Sequence, residues 1–347
     1  MTPDLPLAGI RILDLTRLLP GPLATQHLLE LGAEVLKIEG PAEQGQEDGT
    51  RSMWQTPAEA AAGTPGAMFR ELNDGKQLRC IDLRSAPGRT ELIELAREAD
   101  ALVEGFRPGV MARLGLGFDV LHAVNPRLVM ASISGYGQHG PWAQRAGHDI
   151  NYIAMAGVLQ QIAGPDGDPG LPNFQIADLL GGTQAAVNGV LAALLGAQRT
   201  GQGRFVDVSM THEVWRHSVI ARTALAVLGR VAPPGRDLLS GGVPCYGVYR
   251  TRDERHLAFG ALELKFWQGV CAVVERPQWR ERHHTLGLAI GGDEAMALRA
   301  ELAAIIAGET LAHWQPRFDT ADCCVTPVLR PDEARVHPLF AGAATTR

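Results

Sequence analysis

Short apolar runs alternate with amphipathic stretches through the N-terminal half of the chain. Residues 12–15 form a compact apolar run, residues 22–31 follow with helical spacing behind the turn Pro20-Gly21-Pro22, and residues 34–38 form a second apolar run. Strand, helix and strand in that order predict a βαβ unit. Further strands are predicted over residues 78–83, 101–104 and 128–133, with a helix over residues 89–98. The alternation predicts an α/β fold whose large domain is a doubly wound parallel sheet.

The pattern weakens over residues 43–67, which are rich in Gly, Pro, Ala and Gln and predict a long loop over one end of the sheet. A helix of small residues runs from Asp178 to about residue 197, and the turn Thr200-Gly201-Gln202-Gly203 leads to a strand over 205–209. A helix over 213–228 then ends in the Gly- and Pro-containing break 229–235. Two strands, 245–250 and 256–260, and helices over 264–274 and 294–306 predict a smaller α+β domain. The expected organisation is therefore a large domain over 1–228, a small domain over 229–320, and a tail over 321–347 that returns to the large domain.

At 347 residues, 46% of them hydrophobic and 20% charged, the chain has material for two packed cores. A formal net charge of −6 and the lack of a long basic run argue against nucleic acid or a membrane surface as partner. Residues 1–10 lack a basic segment followed by an apolar one, and no apolar run reaches spanning length, so a cytoplasmic protein is expected. The five cysteines show no paired metal or redox spacing, which predicts ordinary buried thiols and no metal.

The opening βαβ unit invites a nicotinamide or flavin, yet its turn, Thr16-Arg17-Leu18-Leu19-Pro20-Gly21-Pro22, holds one glycine between two prolines. A dinucleotide site needs several glycines there, so that the backbone can approach the pyrophosphate. Candidate chemistry concentrates instead at Gly147-His148-Asp149-Ile150-Asn151-Tyr152 and at Asp178, both at predicted helix starts. Histidine is a base at neutral pH, a carboxyl group can be tuned into an acid, and helix-start N–H groups, that of Asp149 first, suit a developing oxyanion. The same residues also read as helix caps. The remaining histidines, His283 and His284 among them, share no catalytic spacing.

Other pieces complete the pattern: Leu19 to Ala24, Gly32 to Glu39, Gly75-Lys76, Ile81-Asp82-Leu83-Arg84, Phe106-Arg107-Pro108-Gly109-Val110, Gly135-Tyr136-Gly137-Gln138, Ala177-Asp178 and Val325-Thr326-Pro327-Val328. In this order they resemble the family III CoA transferase and α-methylacyl-CoA racemase superfamily over nearly the whole chain, and the racemase branch around His148. The resemblance implies His148 and Asp178 as the two proton-transfer residues, with Glu263 hydrogen-bonded to His148. It places Ile81, Asp82, Leu83 and Arg84 against CoA and Arg107 and Arg113 near its adenine and phosphates, with Gly147, Asp149, Ile150, Asn151 and Tyr152 completing the CoA-binding set. It further implies an acyl-CoA substrate, no cofactor beyond the CoA that the substrate carries, and an interlocked homodimer.

Inverting a stereocentre beside a thioester removes an α-proton and returns one to the opposite face. Two groups are required, and an aspartate, ordinarily near pKa ~3.9, must be tuned upward to donate. Two departures from the racemase pattern bear on this reading. Gly40 stands where racemases commonly carry Arg before the proline, so Lys37 is expected to supply the missing phosphate contact. The segment 43–67, with Asp48-Gly49-Thr50-Arg51, resembles the transferase branch, in which Asp178 attacks the thioester carbonyl as a nucleophile and His148 is incidental. A non-catalytic acyl-CoA binding protein is a third reading.

Overall fold

The computed structural model describes residues 5–162 and 168–341. Strands β1 (Arg11–Leu15), β2 (Glu34–Glu39), β3 (Gln77–Cys80), β4 (Ala101–Glu104), β5 (Val129–Ser134) and β6 (Phe205–Ser209) form one parallel sheet in the order β3-β2-β1-β4-β5-β6. This is the doubly wound arrangement that the alternation predicts. Ile12, Val35, Val103 and Ala131 point to one face, against Leu28 of α1 (Pro20–Glu30). Leu13, Ile38, Leu102 and Met130 point to the other, against Leu92 of α2 (Ala86–Glu98). Burial on both faces makes the central strands β4 and β5 predominantly apolar runs, which is why they stand out in the sequence, whereas the edge strand β3 is exposed along its length.

The Gly147–Tyr152 segment forms α3 (Asp149–Met155) with His148 as its N-cap residue. A π-helical stretch over Ala177–Gln184 then runs directly into α4 (Ala185–Thr200). The joined helix over Ala177–Thr200 does reach membrane-spanning length and apolarity, contrary to the expectation of no such run. Its packing explains its composition: Ala186, Val187, Val190, Ala193 and Leu194 bury against the sheet core. The single helix expected over 213–228 is two, α5 (Met210–His217) and α6 (Val219–Leu228), because Ser218 leaves helical geometry at ψ 51°.

Residues 43–67 are not a plain loop. They fold into short helical turns over Ala42–Gln44, Gly49–Ser52 and Pro57–Ala61, the last opened by a capping box between Thr56 and Glu59. Asp48 is fully buried at their centre. Its Oδ1 accepts from the N–H of Thr50 at 3.0 Å and of Leu18 at 3.1 Å, and its Oδ2 meets Lys37 Nζ at 3.1 Å. Arg51 forks onto Glu39 of β2 and lies over the Phe69 ring at 4.1 Å.

The chain divides into two compact units, Met1–Leu159 with Leu171–Val219, and Gln160–Gly170 with Ile220–Arg347. The second has its own antiparallel sheet, β7 (Tyr246–Arg250), β8 (His256–Gly260) and β9 (Val325–Pro327), in that order. Helices α7 (Leu264–Val273), α8 (Asp293–Ala307) and α9 (Leu311–Ala321) bury Trp267, Leu298 and Phe318 with it. The tail over 321–347 was expected to return to the large domain. Within that tail, β9 pairs with β8 from Leu257 to Phe259. Cys80 and Cys324 are exposed rather than buried, while Cys245, Cys271 and Cys323 are buried thiols.

Candidate active site

In a parallel sheet of this order the chain turns away in opposite directions after β1 and β4, leaving a crevice at their carboxyl ends. A cavity of about 460 Å³ lies there, lined from the β1 end by Thr16, Arg17 and Leu18 and from the β4 end by Gly105, Phe106 and Arg107. Ser134 and Gly135 after β5, Arg145, Gly147, His148, Asn151, Tyr152 and Asp178 close the rest of the wall. His148 and Asp178, 30 residues apart in sequence, therefore open into one space.

Local contacts fix both. The His148 N–H donates to Asn151 Oδ1 at 3.0 Å, which sets the start of α3. Tyr152 packs edge-on against Tyr136 and donates its hydroxyl to the Gly147 carbonyl at 2.5 Å. A side chain at Gly135 or Gly147 has no room, because its Cβ would run into the Tyr152 ring. Asp149 turns away from the cavity and ties α3 to the next helix, its Oδ1 accepting from the N–H of Ala177 at 2.6 Å and of Asp178 at 3.0 Å. One carboxylate thus locks the two candidate proton-transfer residues together, at the wide π-helical turn that holds Asp178.

Burial pushes the Asp178 carboxyl up to about 6, the neighbouring Asp149 charge adds to this, and His148 opposes it. Burial and the Asp178 charge likewise push the Tyr152 phenol up to about 12, so it stays a neutral donor. An Asp149→Asn substitution keeps an oxygen for both N–H groups but removes the charge. The pH limb that reports Asp178 is expected to move below about 6 in the kcat/KM profile, whereas Asp149→Ala lowers the rate at every pH by releasing the helix start.

Just under the wall, Glu104 ends β4 almost fully buried, with one oxygen on Ser132 Oγ and the other accepting from the Phe106 N–H at 2.7 Å. Burial outweighs both hydrogen bonds and lifts its carboxyl to about 7. A raised acid holds its proton in the native state after the unfolded chain has lost it, so stability falls as pH rises from the ordinary carboxylate range through about 7. Glu104→Gln copies the protonated form and is expected to remove that slope from thermal melts recorded across pH.

The other anticipated site residues divide. Arg107, Gly147, Asn151 and Tyr152 line the cavity with His148 and Asp178, while Asp149 and Ile150 do not. Ile81 and Leu83 are core residues, Asp82 Oδ1 accepts from the Arg84 N–H at 2.9 Å, and neither Arg84 nor Arg113 reaches the wall. Lys37 was expected to contact phosphate, but it is fully buried, with Nζ on the Thr16 carbonyl at 2.9 Å and on Asp48. A group so enclosed has no access to an anion. Glu263 is the N-cap residue of α7 in the second unit, and its side chain makes no cap hydrogen bond.

Sequence reasoning missed Arg17 and Arg145, which join Arg107 to give the cavity three guanidinium groups. Arg17 was legible in principle, because it lies two residues past the central strand β1, whose carboxyl end meets the crevice. Arg145 carried no such signal; it lies over the Trp142 ring at 5.0 Å.

The family model described as CoA-transferase family III matches residues 7–346. The chain is 33% identical to alpha-methylacyl-CoA racemase of Homo sapiens over 332 residues, covering 95% of this chain and 80% of the relative. It is also 33% identical to succinyl-CoA:glutarate CoA-transferase of Mus musculus over 329 residues, covering 93% and 72% respectively. Among solved structures, the orthorhombic form of Rv3272 from Mycobacterium tuberculosis superposes with a TM-score of 0.80 at 30% identity, covering 99% of this chain and 89% of that one.

Proposed function

The chain belongs to CoA-transferase family III, an assignment shared by racemases and CoA transferases, and on that premise we propose that it is the racemase kind, an epimerase of 2-methyl-branched acyl-CoA thioesters. The observation that carries this reading is the opening of His148 and a partly buried Asp178 at about 6 into one cavity. One base accepts the α-proton while the pair of electrons from the C–H bond moves onto the thioester oxygen. The other residue, in its protonated form, returns a proton to the opposite face. In one direction His148 removes the proton and Asp178 donates; in the other the roles exchange. A carboxyl group near 6 is populated in both states around neutrality, as such an exchange requires.

The enolate oxygen is the costly feature, and the N–H of Asp149 at the start of α3 suits it. Arg17, Arg107 and Arg145 suit the phosphates of CoA, since guanidinium groups fork onto phosphate oxygens. The proposal includes a homodimer, a cytoplasmic setting, and no cofactor beyond the CoA of the substrate.

The test is incubation with a single epimer of a 2-methylacyl-CoA in deuterated water, without an acceptor acid. Incorporation of α-deuterium together with inversion is expected. If CoA instead moves only when an acceptor acid is added, and hydroxylamine traps an acyl adduct on the enzyme, Asp178 is a nucleophile and the epimerase reading fails.

A further inference from the structure

Within the second unit, Cys245 precedes β7, and His283 and His284 sit in the short turn that follows α7. Cys245 and His283 are each 1% exposed, and His284 is half-buried. Each of the three offers a ligand atom, and these atoms all lie within 4.8 Å of one another. The two imidazole rings stand 4.1 Å apart at 40°. Their spacing in sequence is no recognised metal pattern; the fold of the second unit brings them together.

The second observation concerns the nitrogens. Nε2 of His283 and Nδ1 of His284 are buried without a hydrogen-bond partner among the described residues. A buried polar atom is ordinarily paired, so two such atoms beside one thiol need an occupant. His283 Nδ1 lies 2.8 Å from Thr285 Oγ1. The same nitrogen accepts from the Thr285 N–H at 3.3 Å, so freeing the Nε2 lone pair for a cation requires the ring proton to move to Nδ1 and be given to Thr285 Oγ1 instead. Ligand imidazoles are typically held by such a bond from the second nitrogen. A water molecule fits less well, because a thiol is a poor hydrogen-bond partner.

We propose that Cys245, His283 and His284 form a binding site for a thiophilic divalent cation of the zinc type, separate from the cavity that holds His148 and Asp178. The sulfur and two nitrogens supply three ligands of a tetrahedron and leave the fourth position to solvent. On binding, the sulfur–metal bond forms as the thiol proton leaves to solvent, so one proton is released for each ion taken up.

The test uses the full-length chain, stripped with a chelator and titrated with Zn²⁺ against a competing chromophoric chelator, with Co²⁺ as a spectroscopic probe. One equivalent of Zn²⁺ per chain and a sulfur-to-cobalt charge-transfer band are expected. Cys245→Ser should abolish the band, and Cys245→Ser and His284→Gln should each weaken uptake by about tenfold or more. His284→Gln changes a half-buried ring and guards against a Cys245 variant that does not fold, with circular dichroism as the control. Absence of uptake, uptake unchanged in folded His284→Gln, or cobalt bound without the charge-transfer band overturns the proposal.

Discussion

Replacing Asp178 with alanine is expected to lower inversion of a 2-methylacyl-CoA by about a hundred- to ten-thousand-fold, the usual contribution of one positioned acid or base, and His148→Ala is expected to match it. The two losses differ in kind. With Asp178 gone, His148 still removes the α-proton of the epimer presented to it and returns solvent deuterium to the same face, so exchange continues from that epimer without inversion. With His148 gone, residual exchange belongs to the other epimer. Deuterium content and stereochemistry, measured together from each pure epimer, separate these outcomes. If both variants exchange both epimers at equal rates, the two residues are not the bases. A transferase gives a third pattern, with Asp178→Ala inactive and His148→Ala near wild type.

The pH profile supplies an independent check. Asp178 titrates at about 6 because burial disfavours its charged form, and Asp149 adds a like charge. In the direction where Asp178 is the base, kcat/KM falls as pH drops through about 6. In the direction where it is the acid, the rate falls as pH rises through the same value. Opposite limbs at one pH from the two epimers are difficult to obtain from a general loss of structure.

The centre of the parallel sheet was legible because β4 and β5 are buried on both faces and stand out as predominantly apolar runs, whereas the edge strand β3 is exposed and mixed in composition. His148 and Asp178 were legible as helix starts, and their common cavity follows from the strand order β3-β2-β1-β4-β5-β6, which fixes where the crevice opens. What escaped depends on long-range pairing. Lys37 looks like any strand lysine until Asp48, 11 residues later, folds back beneath it. The short turns of residues 43–67 have too few residues for a periodic pattern, although Thr56 and Glu59 carried the capping-box signal. The Cys245, His283 and His284 cluster has no sequence signature, because separate parts of the second unit supply its members.

Lys76→Met is expected to cost about 3–5 kcal/mol of stability, the usual penalty for breaking a buried ion pair by removing one partner. Both side chains of the Lys76–Asp14 pair are fully enclosed, 3.0 Å apart, and Lys76 Nζ also bonds Thr25 Oγ1 at 2.8 Å and Asn73 Oδ1 at 2.9 Å. Burial opposes the Asp14 charge, yet Lys76, Lys37 and the hydroxyls of Thr16 and Thr25 overcome it and hold the carboxyl down at about 2. A depressed acid contributes stability that is complete above its ordinary value and is lost as pH falls through about 2. Removing Lys76 leaves burial less opposed, so the Asp14 pKa rises and the variant is weakest near neutrality. Denaturant unfolding at neutral and mildly acidic pH checks this: the gap between wild type and variant should narrow on acidification as Asp14 takes up a proton. A gap that stays constant rules out the stranded charge as its cause. Asp14 Oδ1 also accepts from the Thr16 N–H at 2.9 Å, and Thr16, Arg17 and Leu18 line the active-site cavity. A shift of Asp14 therefore reaches the cavity wall through Thr16, and the KM for acyl-CoA should rise in Lys76→Met under conditions where the protein remains folded.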